Sequence, residues 1–172
     1  MEPKSELELY AMLLRMHLKS FVHELRMLPV ERWDWTPDIA APTPRTLAIH
    51  TWQWLQCDRQ HISEPDASKH ARVLEAPPEP AALCDALDAE TEAWMLLLKS
   101  LRPEQLDRPS EQFNISGSRM NIRGFIGHII QNTIYKHGQF TEVFFALGLD
   151  GTGPYTAPFP NPIYDEFFGP QS

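Results

Sequence analysis

The chain has 172 residues, 42% of them hydrophobic and 22% charged, a composition that argues against a disordered chain and favours one domain with a single core. Its 15 basic and 23 acidic residues give a net charge of −8, which excludes nucleic acid as an expected partner because such binding depends on basic surface. No apolar run approaches the ~20 residues that cross a bilayer, and no signal-like segment opens the sequence. We therefore expect a cytoplasmic protein that does not enter a membrane.

Apolar residues recur every three or four positions in four segments, the spacing of amphipathic helices. Ser5 followed by Glu8 is a capping-box pattern at the start of the first helix, and Pro44 occupies a favourable first helical position in the second. Gly148 is placed to end the fourth helix in a left-handed conformation. The predicted helices are 5–28, 44–62, one from Pro80 to a point before Pro103, and 121–147.

The sequence contains no sustained strand alternation, so it predicts an all-α four-helix bundle over residues 1–148. The connectors after the second and third helices have 17–19 residues, longer than is usual in a bundle, and such loops often cover a functional end. Residues 149–172 contain five prolines and are predicted to form an extended tail rather than a separate domain.

Polar side chains interrupt the apolar stripe of the fourth helix. With Ile122 as the reference direction and ~100° per residue, Lys136 falls inside the stripe. Asn132 and His128 follow along the same flank, one turn apart. His137 falls on the other flank, about 180° from His128 on the wheel.

The second helix carries a matching polar set. Trp54 and Asp58 lie close to its apolar direction, and His50 and His61 lie to one side. Cys57 and His61 are four residues apart, either as a thiolate–imidazole pair or with Cys57 buried and inert. Because an unpaired buried charge is costly, we expect a polar pocket between the second and fourth helices.

Three features together resemble the DinB/YfiT-like superfamily: a Trp-x-Trp-x-Pro connector, the segment Thr46-Leu-Ala-Ile-His50, and His137-Gly-Gln139 in a late helix. The resemblance implies a four-helix bundle that forms homodimers. Many members bind a divalent metal through three histidines, some are thiol-dependent S-transferases or isomerases, and many are described as metal-dependent hydrolases.

The family's ligands correspond to His50, Asn132 and Lys136 in this sequence. Asn is a weak neutral ligand, and a protonated Lys has no lone pair, so two of the three positions depart from the pattern. The expectation is therefore no cofactor, with zinc or nickel as the alternative.

Three interpretations of this pocket remain open. In the first, Lys136 replaces the metal, pairs with Asp58 or hydrogen-bonds His50 and Asn132, and the pocket binds a small molecule without metal. In the second, the ligands have shifted, and His50 binds a metal with His128 or with His137. In the third, the polar groups only fix the helix register. The functions that correspond are an enzyme, with His50 as base and Lys136 stabilising negative charge, or a binding protein that has lost the chemistry.

Overall fold

A computed structural model describes residues 3–64, 66–71, 74–113 and 119–148. It confirms the four-helix bundle. The predicted tail at 149–172 lies outside the described residues. No helix within the described ranges combines the length and apolarity that a membrane span requires. The helices, in chain order, are α1 (Glu6–Met27), α2 (Pro44–Ser63), α3 (Pro80–Ser100) and α4 (Ile122–Ala146).

The helix ends follow the local signals in the sequence. The Ser5 side chain accepts a hydrogen bond from the Glu8 amide at 3.1 Å. The Glu8 carboxylate, however, accepts from the amide of Lys4 rather than from that of Ser5. Asn121 caps α4 by accepting from the Gly124 amide. Gly148 has a φ of 65°, the left-handed conformation that glycine adopts most easily after a helix.

Helices α1 and α2 each pack against both α3 and α4, so that α1 and α2 occupy opposite corners of the bundle. Two of the connections, α1–α2 and α3–α4, therefore cross a diagonal of the bundle, whereas the α2–α3 connection joins neighbouring helices. Trp33, only 1% exposed, anchors the first of them, and its carbonyl accepts from the Arg45 amide. The fully buried side chain of Leu106 anchors the last connection.

The last connection also contains a short antiparallel ribbon, β1 (Pro109–Phe113) with β2 (Arg119–Asn121). No strand was predicted here from the sequence, because strands of three and five residues are too short to show alternation. The ribbon leads directly into α4 and does not change the all-α character of the bundle. Helix α4 lies between α1 and α2 and presents a different face to each of them.

Candidate functional site

Helix α2 presents a row of three side chains to α4. His50, Trp54 and Asp58 are spaced four residues apart, which places them one above another on the same helix face. The Trp54 indole donates a hydrogen bond of 2.6 Å to Nε2 of His50. Burial, and then the positive charge of Lys136, lowers the pKa of His50. His50 is therefore a neutral imidazole whose Nε2 lone pair is already occupied.

Helix α4 carries His128, Asn132 and Lys136 at the same four-residue spacing. The Oδ1 atom of Asn132 is buried and has no hydrogen-bond partner among the described residues. The Lys136 ammonium donates a long bond of 3.5 Å to Gln139 and lies 5.4 Å from the centre of the Tyr135 ring. Burial lowers the pKa of Lys136. We call these six residues of α2 and α4 the α2/α4 site.

Asp58 and His128 form a short polar contact in the α2/α4 site, with 2.6 Å between Oδ2 and Nδ1. Asp58 is 1% exposed, and its burial raises the pKa of the carboxyl more than the His128 bond lowers it. The same bond raises the pKa of His128, outweighing the opposite effect of burial. The pair thus holds a shared proton more tightly than the separate groups would in water.

The other nitrogen of His128 is available for chemistry. The His128 side chain is 35% exposed, and no described residue hydrogen-bonds its Nε2 atom. The Trp54 ring packs against the imidazole with 5.0 Å between ring centres. A buried carboxylate and an aromatic wall therefore orient an imidazole whose reactive edge faces solvent.

Cys57 and His61 lie beside this pair. Nε2 of His61 is 3.9 Å from the Cys57 sulfur, and Nδ1 is 3.9 Å from Oδ1 of Asp58. Burial lowers the pKa of His61 to about 4 and raises that of Cys57 to about 11. At neutral pH the two are a neutral imidazole and a thiol, so the thiolate–imidazole alternative is not supported.

The residues at the family's ligand positions do not fit a metal ion. His50 has its Nε2 lone pair occupied by Trp54, and the protonated amine of Lys136 has no lone pair to offer an ion. Asn132 alone offers a free oxygen. A different group could hold an ion, because ligand atoms of Cys57, Asp58 and His61 all lie within 4.8 Å of one another.

The expected ion pair between Lys136 and Asp58 is not formed. Asp58 lies against His128, and Lys136 is two turns further along α4, a displacement of about 12 Å. Nor does Lys136 hydrogen-bond His50 or Asn132; its described partners are Gln139 and the Tyr135 ring. Side-chain direction on a wheel gives the face but not the height at which two helices meet.

His137 is not part of the α2/α4 site. It faces α1, where its Nε2 donates to Oε1 of Glu24 at 3.1 Å, so it is not placed to join His50 around one ion. Its Nδ1 lies 3.4 Å from Nδ1 of His17. We call His17, Ser20, Glu24, Thr133 and His137 the α1/α4 cluster.

The sequence analysis missed the α1/α4 cluster. The signal available was Glu24, a carboxylate three residues after Phe21 and one before Leu25, within the apolar stripe of α1. It is 3% exposed. A charged residue inside an apolar stripe indicates a buried partner on the neighbouring helix.

Comparisons with known proteins agree with this architecture. The profile of the DinB superfamily matches residues 13–140. A solved DinB-like protein of Bacillus subtilis, YjoA, is 16% identical, with a TM-score of 0.66 over 88% of this chain and 96% of that one. A conserved protein from Enterococcus faecalis is 15% identical, with a TM-score of 0.65 over 81% and 95% of the two chains. Curated protein sequences give no significant match. The family match covers well over half of the sequence, and the chain belongs to the DinB superfamily.

Proposed function

We propose that this chain is a metal-independent member of its superfamily, an enzyme that performs general acid–base chemistry on a small molecule bound at the α2/α4 site. The observation that carries the proposal is the 2.6 Å bond from His128 to the buried Asp58, combined with the free Nε2 edge. A carboxylate on Nδ1 fixes the tautomer and stabilises the imidazolium that forms when Nε2 accepts a proton.

The proton comes from water or from a hydroxyl or thiol of the substrate. Cys57 is excluded as the nucleophile because burial keeps it a thiol, and its sulfur lies against His61 rather than against His128. His128 therefore activates a nucleophile that arrives with the solvent or the ligand. Lys136, near His50 and two turns of α4 from His128, supplies positive charge for an anionic group of the substrate away from the reacting atoms.

The test uses an activated acetate ester, 4-nitrophenyl acetate, as the probe. His128→Gln should lower kcat/KM by about 10²-fold or more, the usual contribution of a general base. His23→Gln is the matched control, because it makes the same change at a partly buried histidine of α1 outside the site. A wild-type rate no higher than that of His128→Gln overturns the proposal.

Metal dependence is tested on the same reaction, because metal-dependent hydrolysis or thiol transfer with shifted ligands is the competing function. The proximity of Cys57, Asp58 and His61 favours this alternative. Treatment with a chelator should leave the rate unchanged. Loss of the rate in chelator, with recovery on zinc or nickel and no recovery in Cys57→Ala, would replace the metal-independent proposal with the metal-dependent one.

We further propose that the chain forms a homodimer and works in the cytoplasm. Ile134 and Tyr135 are 42% and 60% exposed on α4, beside an open groove of about 610 Å³ that reaches Val143. Exposed apolar surface of this kind supports contact with a second copy. Cys57 and Cys84 are free thiols, which suits a reducing compartment. Light scattering of the purified chain should give twice the monomer mass.

A further inference from the structure

The two histidines of the α1/α4 cluster approach each other in a way that a hydrogen bond explains poorly. Their Nδ1 atoms are 3.4 Å apart, close to the upper limit for a hydrogen bond. Two nitrogen ligands on one tetrahedral zinc, each at about 2.0–2.1 Å, lie about 3.3 Å apart. The observed separation matches the second geometry better.

The surroundings of His137 are those of a metal-binding histidine. Its Nε2 donates to the Glu24 carboxylate at 3.1 Å, which leaves the Nδ1 lone pair directed at His17. A carboxylate on the far nitrogen fixes the tautomer and ring orientation of metal-ligating histidines and raises their basicity. The facing atom of His17 is also Nδ1, so the two rings present the same nitrogen to each other.

Unpartnered oxygens provide an independent indication. Ser20 Oγ, Glu24 Oε2 and Thr133 Oγ1 are buried and have no hydrogen-bond partner among the described residues. Ser20 lies one turn from His17 on α1, and Thr133 lies one turn from His137 on α4. Buried polar atoms normally have a partner, and a cation with its bound waters would supply several.

We propose that the α1/α4 cluster binds a divalent transition-metal ion, zinc in the first instance, through Nδ1 of His17 and Nδ1 of His137. Glu24 acts as the positioning carboxylate behind His137, and water with the hydroxyl of Ser20 completes the coordination. The site is on the face of α4 opposite His128, since nine residues at ~100° place the two histidines about 180° apart. It is therefore separate from the α2/α4 site and not needed for the acid–base proposal.

Calorimetric titration of the full chain with zinc chloride tests the proposal, with Cys57→Ala as the background so that the group at Cys57, Asp58 and His61 does not contribute. One binding event is expected. His17→Gln should weaken it at least tenfold, and Glu24→Gln should weaken it by about 10–100-fold, as loss of an outer-shell carboxylate does. His23→Gln should leave it unchanged.

His17 is chosen because it is only half-buried, so its variant should fold even where His137 variants do not. Zinc should also raise the Tm of the Cys57→Ala chain and not that of the double variant with His17→Gln, because ligand binding stabilises only a chain that binds it. Binding that survives His17→Gln, or no binding in the Cys57→Ala background, overturns the proposal. Rates of ester hydrolysis at the α2/α4 site should be the same with and without zinc, which separates the two proposals.

Discussion

Two carboxylate–histidine pairs flank α4, one on each side, and they differ mainly in the exposure of the histidine. In the α2/α4 site, Asp58 contacts His128, whose side chain is 35% exposed. In the α1/α4 cluster, Glu24 contacts His137, whose side chain is 8% exposed. The same pair of groups can therefore serve solvent-facing proton transfer on one side and closed coordination on the other. Residue types alone do not distinguish these roles; the position of the histidine edge relative to solvent does.

The largest effect on stability should follow from breaking the Glu24–His137 pair of the α1/α4 cluster. His137→Ala removes the only described partner of a carboxylate that is 4% exposed, and should lower the free energy of unfolding by about 3–5 kcal/mol. Urea denaturation measures it. Replacing Glu24 and His137 together by leucine should recover most of the loss, since no charge is then left buried. A loss below ~1 kcal/mol in the single variant would mean that water reaches Glu24.

Breaking the Asp58–His128 pair of the α2/α4 site should lower the free energy of unfolding by less. His128→Ala leaves Asp58 buried without its close partner and should lower the free energy of unfolding by about 2 kcal/mol at pH 7.5, since the solvent-facing side of the histidine contributes little. Urea melts of wild type and variant at pH 7.5 measure this, and a loss below about 0.5 kcal/mol would contradict it.

The contrast also shows which features of the fold and of the site could be predicted from the sequence. Helix ends at Ser5, Pro44 and Gly148 were predictable because capping and backbone conformation are local properties. The placement of Asp58 and Asn132 on inward faces was predictable from periodicity.

The pairing of those faces was not predictable in the same way. Asp58 meets His128 and not Lys136 because of the relative height of α2 and α4, which depends on packing along both helices. Glu24 was passed over because its partner lies 113 residues away in sequence. Long-range pairs of this kind leave only an indirect mark in a single sequence: a polar residue where an apolar one is expected.

A smaller effect concerns the pH dependence of stability at His61, beside the α2/α4 site. The folded pKa of His61, about 4, is below its ordinary value of 6.5, so its contribution to stability is complete above pH 6.5 and is lost as the pH falls toward 4. His61→Gln should therefore lose about 1 kcal/mol less stability than the wild type between these pH values, a figure reduced for the exposure of the ring. Urea melts across this range provide the measurement. Identical pH profiles would show that solvent reaches Nδ1 of His61.

The smallest expected change in stability is at Lys136, the position that the family resemblance assigns to a metal ligand. Its contacts are a 3.5 Å bond to Gln139 and the Tyr135 ring, so Lys136→Met should change the free energy of unfolding by less than about 0.5 kcal/mol. If Lys136 were paired with Asp58, the same variant would lower the free energy of unfolding by about 3 kcal/mol or more. The same variant should weaken competitive inhibition of ester hydrolysis by inorganic phosphate about fivefold, because a single partly exposed charge contributes about 1 kcal/mol. Unchanged inhibition would show that the Lys136 ammonium does not face the bound anion. His128 would then act without help from Lys136, at the position that the family resemblance assigns to a metal ligand.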